Sequence, residues 1–270
     1  MDPQNLFNAV DNVSLHFAKD TDLTDDEKWI ITAGGIFSSL VGDNLNSIET
    51  GRNNGEIREA LRRSWLISDR PTFEQVVIRL ATSDKRQIYL KRLEMIKKFY
   101  ATLQNSNAVC NFMSKMSFRF ALDWYQTRTK EDLKKINKEL EFDRIKINKG
   151  KTNSVTDMLA KAGKWTKDLE KIGDYRTVNN LLGWDAVGIL NIVRFATQVN
   201  YIDREEFVKY ARPIKKQVQA AYNSWNEFVL SYVVGSLIWK YTEERAAPII
   251  RVAHMFLTDK KSPVHSVNFK

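Results

Sequence analysis

Two opposite charges stand in an otherwise apolar stretch, "GWDAVGILNIVRFATQVNYI" (183–202): the carboxylate of Asp185 and the guanidinium of Arg194. Side by side, they would suggest a catalytic ion pair. At about 100° per residue, nine positions put them about 180° apart, so they cannot pair within their own helix. Each therefore needs a partner on another element, because an unpaired buried charge costs several kcal/mol. Asp185 lies near enough to the helix start to accept from first-turn amides or to meet a basic residue of a neighbouring helix. Glu227 is a candidate partner for Arg194. Asp43, in "GDNL", is a third candidate, able to accept from backbone amides at a helix end. With Tyr201 and Glu227, these residues form the candidate binding set: Asp43, Asp185, Arg194, Tyr201 and Glu227. Clamps that hold helices in register are the plainer alternative.

Other chemistries find little footing. His16, His254 and His265 are scattered and lack the His-Glu-x-x-His spacing for zinc. The nucleophile elbow G-x-S-x-G does not occur. "AGGIF" (33–37) has paired glycines inside a helical pattern and no phosphate-binding lysine after it, so close helix packing explains it better. Cys110 stands among apolar neighbours, reads as a buried thiol, and as the single cysteine excludes an internal disulfide. No catalytic residue, metal ligand or cofactor site is assigned.

The elements that must carry these residues are helices. Glycine (11) and proline (5) are scarce in 270 residues, and no run of alternating β-branched residues appears. "TDDE" (24–27) has capping-box form, and Gly42 supplies a stop. "ETGRNNG" (49–55) is a loop, and Pro71 suits the first turn of a helix. Residues 83–104 keep helical spacing, followed by an aromatic-rich helix near 108–126 and a charged segment over 130–151. "DREE" (203–206) and "SWNE" (224–227) each offer a cap with glutamate three residues on.

Trp225, Phe228, Tyr232, Gly235 and Trp239 follow 3-4-3-4 spacing within about an 80° arc, as a core stripe does. With Trp184 they make up the expected structural core, and Gly235 marks a close approach by a neighbouring helix. The expected fold is all-α: a multi-helix globular bundle around a central buried helix at about 180–199. One domain over 1–270 is expected, with a flexible break at 148–154 between helical halves at 1–150 and 155–270.

The net charge of +9 is uneven: 7 basic against 13 acidic residues over 1–78, then 35 against 20 over the remainder. Such asymmetry suits a charged protein partner or a nucleic acid. "DKRQIYLKRLEMIKKFY" (84–100) and "KYARPIKK" (209–216) mix basic and aromatic residues, but the aromatics of the first keep core spacing. The longest apolar run, 228–239, is too short to span a membrane. Without a signal sequence, and with one cysteine, cytoplasmic residence is expected.

"GWDAVGILNIVRF", "NYIDREEF" and "SWNEFVLSYVVGSLIW" together resemble a bacterial family of unknown function, the YbeU/YbeR-like proteins. The matching residues are Trp184, Asp185, Arg194, Tyr201, Glu205, Trp225, Phe228, Tyr232, Gly235 and Trp239. Trp29, Gly42, Asp43, Leu45, Trp65 and Ile67 add an N-terminal likeness, so the resemblance covers about 25–82 and 180–242. It departs where the family pattern places arginines near Gly188 and Ser236, and a glycine at Asn200. Asn200 can still adopt a left-handed turn.

The resemblance implies an all-helical fold and no established activity. A non-enzymatic protein-interaction module leads the functional readings, with an immunity-type neutralising partner in an interbacterial toxin system as one setting. The alternatives are a helical enzyme or toxin effector joining Asp43, Asp185 and Arg194, and a salt-sensitive nucleic-acid binder using 84–100 and 130–151.

Overall fold

The computed structural model describes residues 14–19, 21–82, 85–105, 168–239 and 243–270. Cys110, the segments at 108–126 and 130–151, and the break expected at 148–154 lie outside them. The chain divides into two compact units, Met1–Arg86 with Leu169–Lys270, and Gln87–Asp168. Eight α-helices are present among the described residues: α1 (Asp25–Val41), α2 (Asn54–Trp65), α3 (Arg70–Ala81), α4 (Lys85–Asn105), α5 (Leu182–Gln198), α6 (Arg204–Ala221), α7 (Trp225–Trp239) and α8 (Glu243–Thr258). No strand occurs there, only an isolated parallel bridge between His16 and Asn44. No described helix is long and apolar enough to cross a membrane.

The helix ends follow local chemistry. Thr24 and Glu27 close a capping box at α1, and Gly42 (φ 76°) ends that helix in the left-handed region. Asp69 and Thr72 cap α3, with Pro71 in its first turn. Asp203 and Glu206 close the box at α6. Ser224 accepts from Glu227 N–H at α7, while the Glu227 carboxylate takes the N–H of Asn223. The start of α5 is capped from a distance: Gly183 N–H donates to the Tyr222 hydroxyl at 2.9 Å, and that oxygen lies 2.7 Å from Ser231 Oγ. Asn200 (φ 62°) turns the chain out of α5, placing Tyr201 N–H on Ala196 O.

In the first unit α5 is surrounded as expected, packing against α1, α2, α3, α6 and α7. Val187, Ile189, Leu190, Ile192, Val193, Phe195 and Ala196 are all buried. The glycine pair of α1 serves close packing: a Cβ at Gly35 would lie 2.7 Å from the Phe256 ring of α8. At the far end, Trp29 and Trp225 donate to Phe269 O and Val267 O, tying the last residues onto α1 and α7.

The core stripe needs one correction. Trp225, Phe228, Tyr232 and Gly235 are buried, but Trp239 is 45% exposed. Every residue from Phe228 to Ile238 is buried, so α7 has no single inward face. Trp239 is its last residue, and its ring rests on Trp184 at 5.4 Å. Of the second unit, the described part is essentially α4 from Gln87 onward, where Leu93 and Ile96 are buried.

The Glu27 cap also carries an ion pair, accepting from Arg204 Nε at 2.5 Å with its side chain 2% exposed. The Arg204 bond, opposed by burial and aided by Thr24, lowers the Glu27 pKa from 4.5 to about 2. A depressed folded pKa gives stability that is fully present above about 4.5 and lost as pH falls toward about 2. Unfolding measured against pH is expected to show the wild type's advantage over Glu27→Gln shrinking across that window. An advantage constant with pH would contradict this reading.

Candidate functional site

The predicted site residues fall into separate places. Arg194, on the middle of α5, is buried and spends its fork on the 44–49 loop. Nε donates to Ile48 O at 2.9 Å, NH1 to Ser38 Oγ at 3.0 Å, and NH2 to Asn44 O at 2.7 Å and Glu49 O at 3.1 Å. Gln198, one turn further, accepts from Thr50 N–H and donates to Arg52 O. Leu45 anchors the loop in the core, and α5 holds its carbonyls through Arg194.

Asp43 does not use backbone amides. Its buried carboxylate accepts both Nε and NH2 of Arg52, at 2.7 and 3.1 Å, and the Arg52 guanidinium lies over the Phe195 ring at 5.2 Å. Burial raises the Asp43 pKa, opposed by the charges of Arg52 and Arg194. Burial likewise lowers Arg194 to about 10, against the pull of Asp43. The Asp43 carboxylate and the Arg194 guanidinium are thus both bonded within the protein.

Glu227 is not the partner of Arg194. It is exposed and occupied at the start of α7, because a glutamate three residues after a cap is drawn to the free amides there. Tyr201 is half-buried at the turn after α5, where its backbone N–H donates to Ala196 O.

Asp185 meets a basic residue of another helix, Arg86 in the first turn of α4, with Nε to Oδ2 at 2.7 Å. About 13–14 Å of helix axis and half a circumference separate it from Arg194. The carboxylate edges a cleft of about 160 Å³ lined by Phe37, Trp65, Leu80, Trp184, Gly188 and Tyr232, with Val187, Asn191 and Ser236 completing the wall. Burial raises the Asp185 pKa, and the bond and charge of Arg86 oppose it. Oδ1 accepts no hydrogen bond from any described residue. Trp184 stacks on Tyr232 at 5.5 Å, fixing one wall. Asn191 sits between α1 and α5, donating to Gly34 O and Val187 O and accepting from Ser38 Oγ, so it is bound in place.

Gly188 is the residue whose importance the sequence concealed. Gly34, Gly35, Gly183 and Gly235 each have a neighbour within 3.0 Å of a would-be Cβ, so packing accounts for them. At Gly188 no described residue outside its own helical backbone lies within 4 Å of a would-be Cβ, and Gly188 lines the cleft. Helix-interior glycine costs about 1 kcal/mol relative to alanine. Gly188→Ala is therefore expected to raise stability by up to about 1 kcal/mol, or about 2–4 °C in Tm by calorimetry. A loss of stability would mean the site is tighter than the geometry indicates. Ser236, the second position where the resemblance places an arginine, lines the same cleft.

An all-α protein with one enclosed helix, a buried polar centre and an acid-edged aromatic cleft is the class these features define. Among known families, the one described as "Protein of unknown function (DUF1266)" matches residues 58–269, and the chain belongs to it. The match carries neither the YbeU/YbeR name nor a bacterial source. No curated protein and no solved structure matches the chain. The matched span contains Asp185, Gly188 and Arg194, whereas Asp43 precedes it.

Proposed function

We propose that the chain is a helical protein-interaction module, without chemistry of its own, that receives its partner at the Asp185 cleft. The observation that carries this reading is Gly188, a helix-interior glycine with no packing reason among the described residues, lining a cleft with Asp185 and four aromatic side chains. Proteins break local stability rules where function requires it. The cleft, at about 160 Å³, is about half the lower bound of ordinary small-molecule pockets, roughly 300 Å³. It suits one inserted side chain better than a nucleotide or a large cofactor.

The enzyme alternative would need Asp43, Asp185 and Arg194 to converge, but Asp43 and Arg194 are tied off away from Asp185. In the basic segments, Arg86, Lys97 and Lys215 each rest on a carboxylate, which reduces what they could give to phosphates. A neutralising role in an interbacterial toxin system, in a bacterial cytoplasm, is the setting we attach to the module, resting on the resemblance alone.

Affinity capture from the source cells at moderate salt tests the reading, with wild type and Gly188→Leu side by side. A specific protein retained by the wild type and lost from the folded variant is expected. Retention of no specific protein, or equal retention by both chains, would overturn it.

A further inference from the structure

We infer that the cleft is a subsite for one basic side chain of the partner, an arginine or lysine whose charged end meets Asp185 while its stem lies against the aromatic walls. The inference rests on the interaction-module reading and names the chemistry that the site selects.

Asp185 sets the sign. Its Oδ2 takes a single bond from Arg86, while Oδ1 accepts from no described residue, and Asp185 is one of the residues that line the cleft. An apolar side chain seated there would strip water from that oxygen and return nothing. An acidic one would face a carboxylate. A guanidinium or ammonium supplies the N–H donors and finds the side chains of Trp184, Trp65, Tyr232 and Phe37 around its stem.

The protein builds the same arrangement twice from its own residues. Arg52 is bonded to Asp43 while its guanidinium lies 5.2 Å from the centre of the Phe195 ring. Lys215 is bonded to Asp26 at 2.7 Å while its ammonium lies 5.4 Å from the centre of the Trp29 ring. In the first, Arg52 alone bonds the carboxylate, and Arg194 acts on it through charge without a bond. The cleft brings together the same two kinds of residue, an aspartate and aromatic side chains, and Gly188 adds no side chain to it.

Nα-acetylarginine amide and its neutral counterpart Nα-acetylcitrulline amide are suitable probes, titrated at millimolar concentration into the full chain. The readout is the indole N–H resonances, because Trp65 and Trp184 line the cleft while Trp29 and Trp225 are bound elsewhere. The arginine probe is expected to shift the Trp65 and Trp184 signals saturably and leave Trp29 and Trp225 in place. The citrulline probe should bind about tenfold more weakly, because only the charge-assisted bond differs. Gly188→Leu, whose Cβ meets no neighbour, should keep the other indole signals and lose the response. Equal binding of the two probes, no saturable shift with arginine, or an undiminished response in Gly188→Leu would each overturn the inference. If the arginine probe binds at these two tryptophans but no protein is captured, the subsite stands and the partner reading fails. Capture without a saturable arginine response would overturn the subsite alone.

Discussion

Replacing Arg194 by methionine is expected to cost about 3–5 kcal/mol, the range for breaking a buried charged network by removing one member. The methionine fills much of the same space, so packing is not the main loss. Three carbonyl oxygens, of Asn44, Ile48 and Glu49, and the Ser38 hydroxyl would lose a charged donor in a buried setting. The buried carboxylate of Asp43 would keep Arg52 but lose the nearby charge of Arg194. Arg194→Lys should recover only part of the loss, because an ammonium cannot serve four acceptors spread around a planar fork. Urea unfolding measures both variants. A cost below about 1 kcal/mol for methionine, typical of a solvated hydrogen bond, would show that the loop is held by other means.

Gly235→Ala is the second large effect, and its sign runs against helix propensity. Alanine would gain about 1 kcal/mol in an unobstructed helix. At Gly235 the added methyl would lie 2.6 Å from Trp184 Cβ and 3.2 Å from its Cγ. Those atoms are at the root of the side chain, and the ring is already packed on Tyr232 and Trp239. α5 and α7 would have to separate, so a net loss of about 1–3 kcal/mol is expected from overpacking. The comparison with Gly188→Ala is internally controlled, since both glycines lie within helices of one unit. Opposite signs in thermal unfolding are expected; equal signs would mean that the local spacing of one site differs from that described.

Much of the fold was legible because its signals are local. The capping boxes at Thr24 and Asp203, the stop at Gly42 and the turn at Asn200 depend on residues a few positions apart. The enclosure of α5 followed from an apolar pattern that runs around the whole circumference. Gly235 announced a close approach, although the sequence could not say that Trp184 makes it.

The partners of the charges were not legible. Asp185 to Arg86 spans 99 positions and Arg194 to Ile48 spans 146, and spacing within one helix says nothing about such pairs. Glu227 was misassigned because a carboxylate near a helix start can serve either a cap or an ion pair, and the cap lay closer. Gly188 was hidden for another reason: a glycine with a tight neighbour and one beside open space look alike until the neighbours are placed.

Hydrogen exchange of the chain, alone and with a protein recovered in the capture proposed above, tests most directly whether the cleft rather than the polar centre receives it. Added protection is expected around Trp65, across 184–188 on α5 and across 232–236 on α7, with the 44–49 loop unchanged. Protection confined to the basic face of α6, or to the 44–49 loop, with the cleft unaffected, would contradict this account.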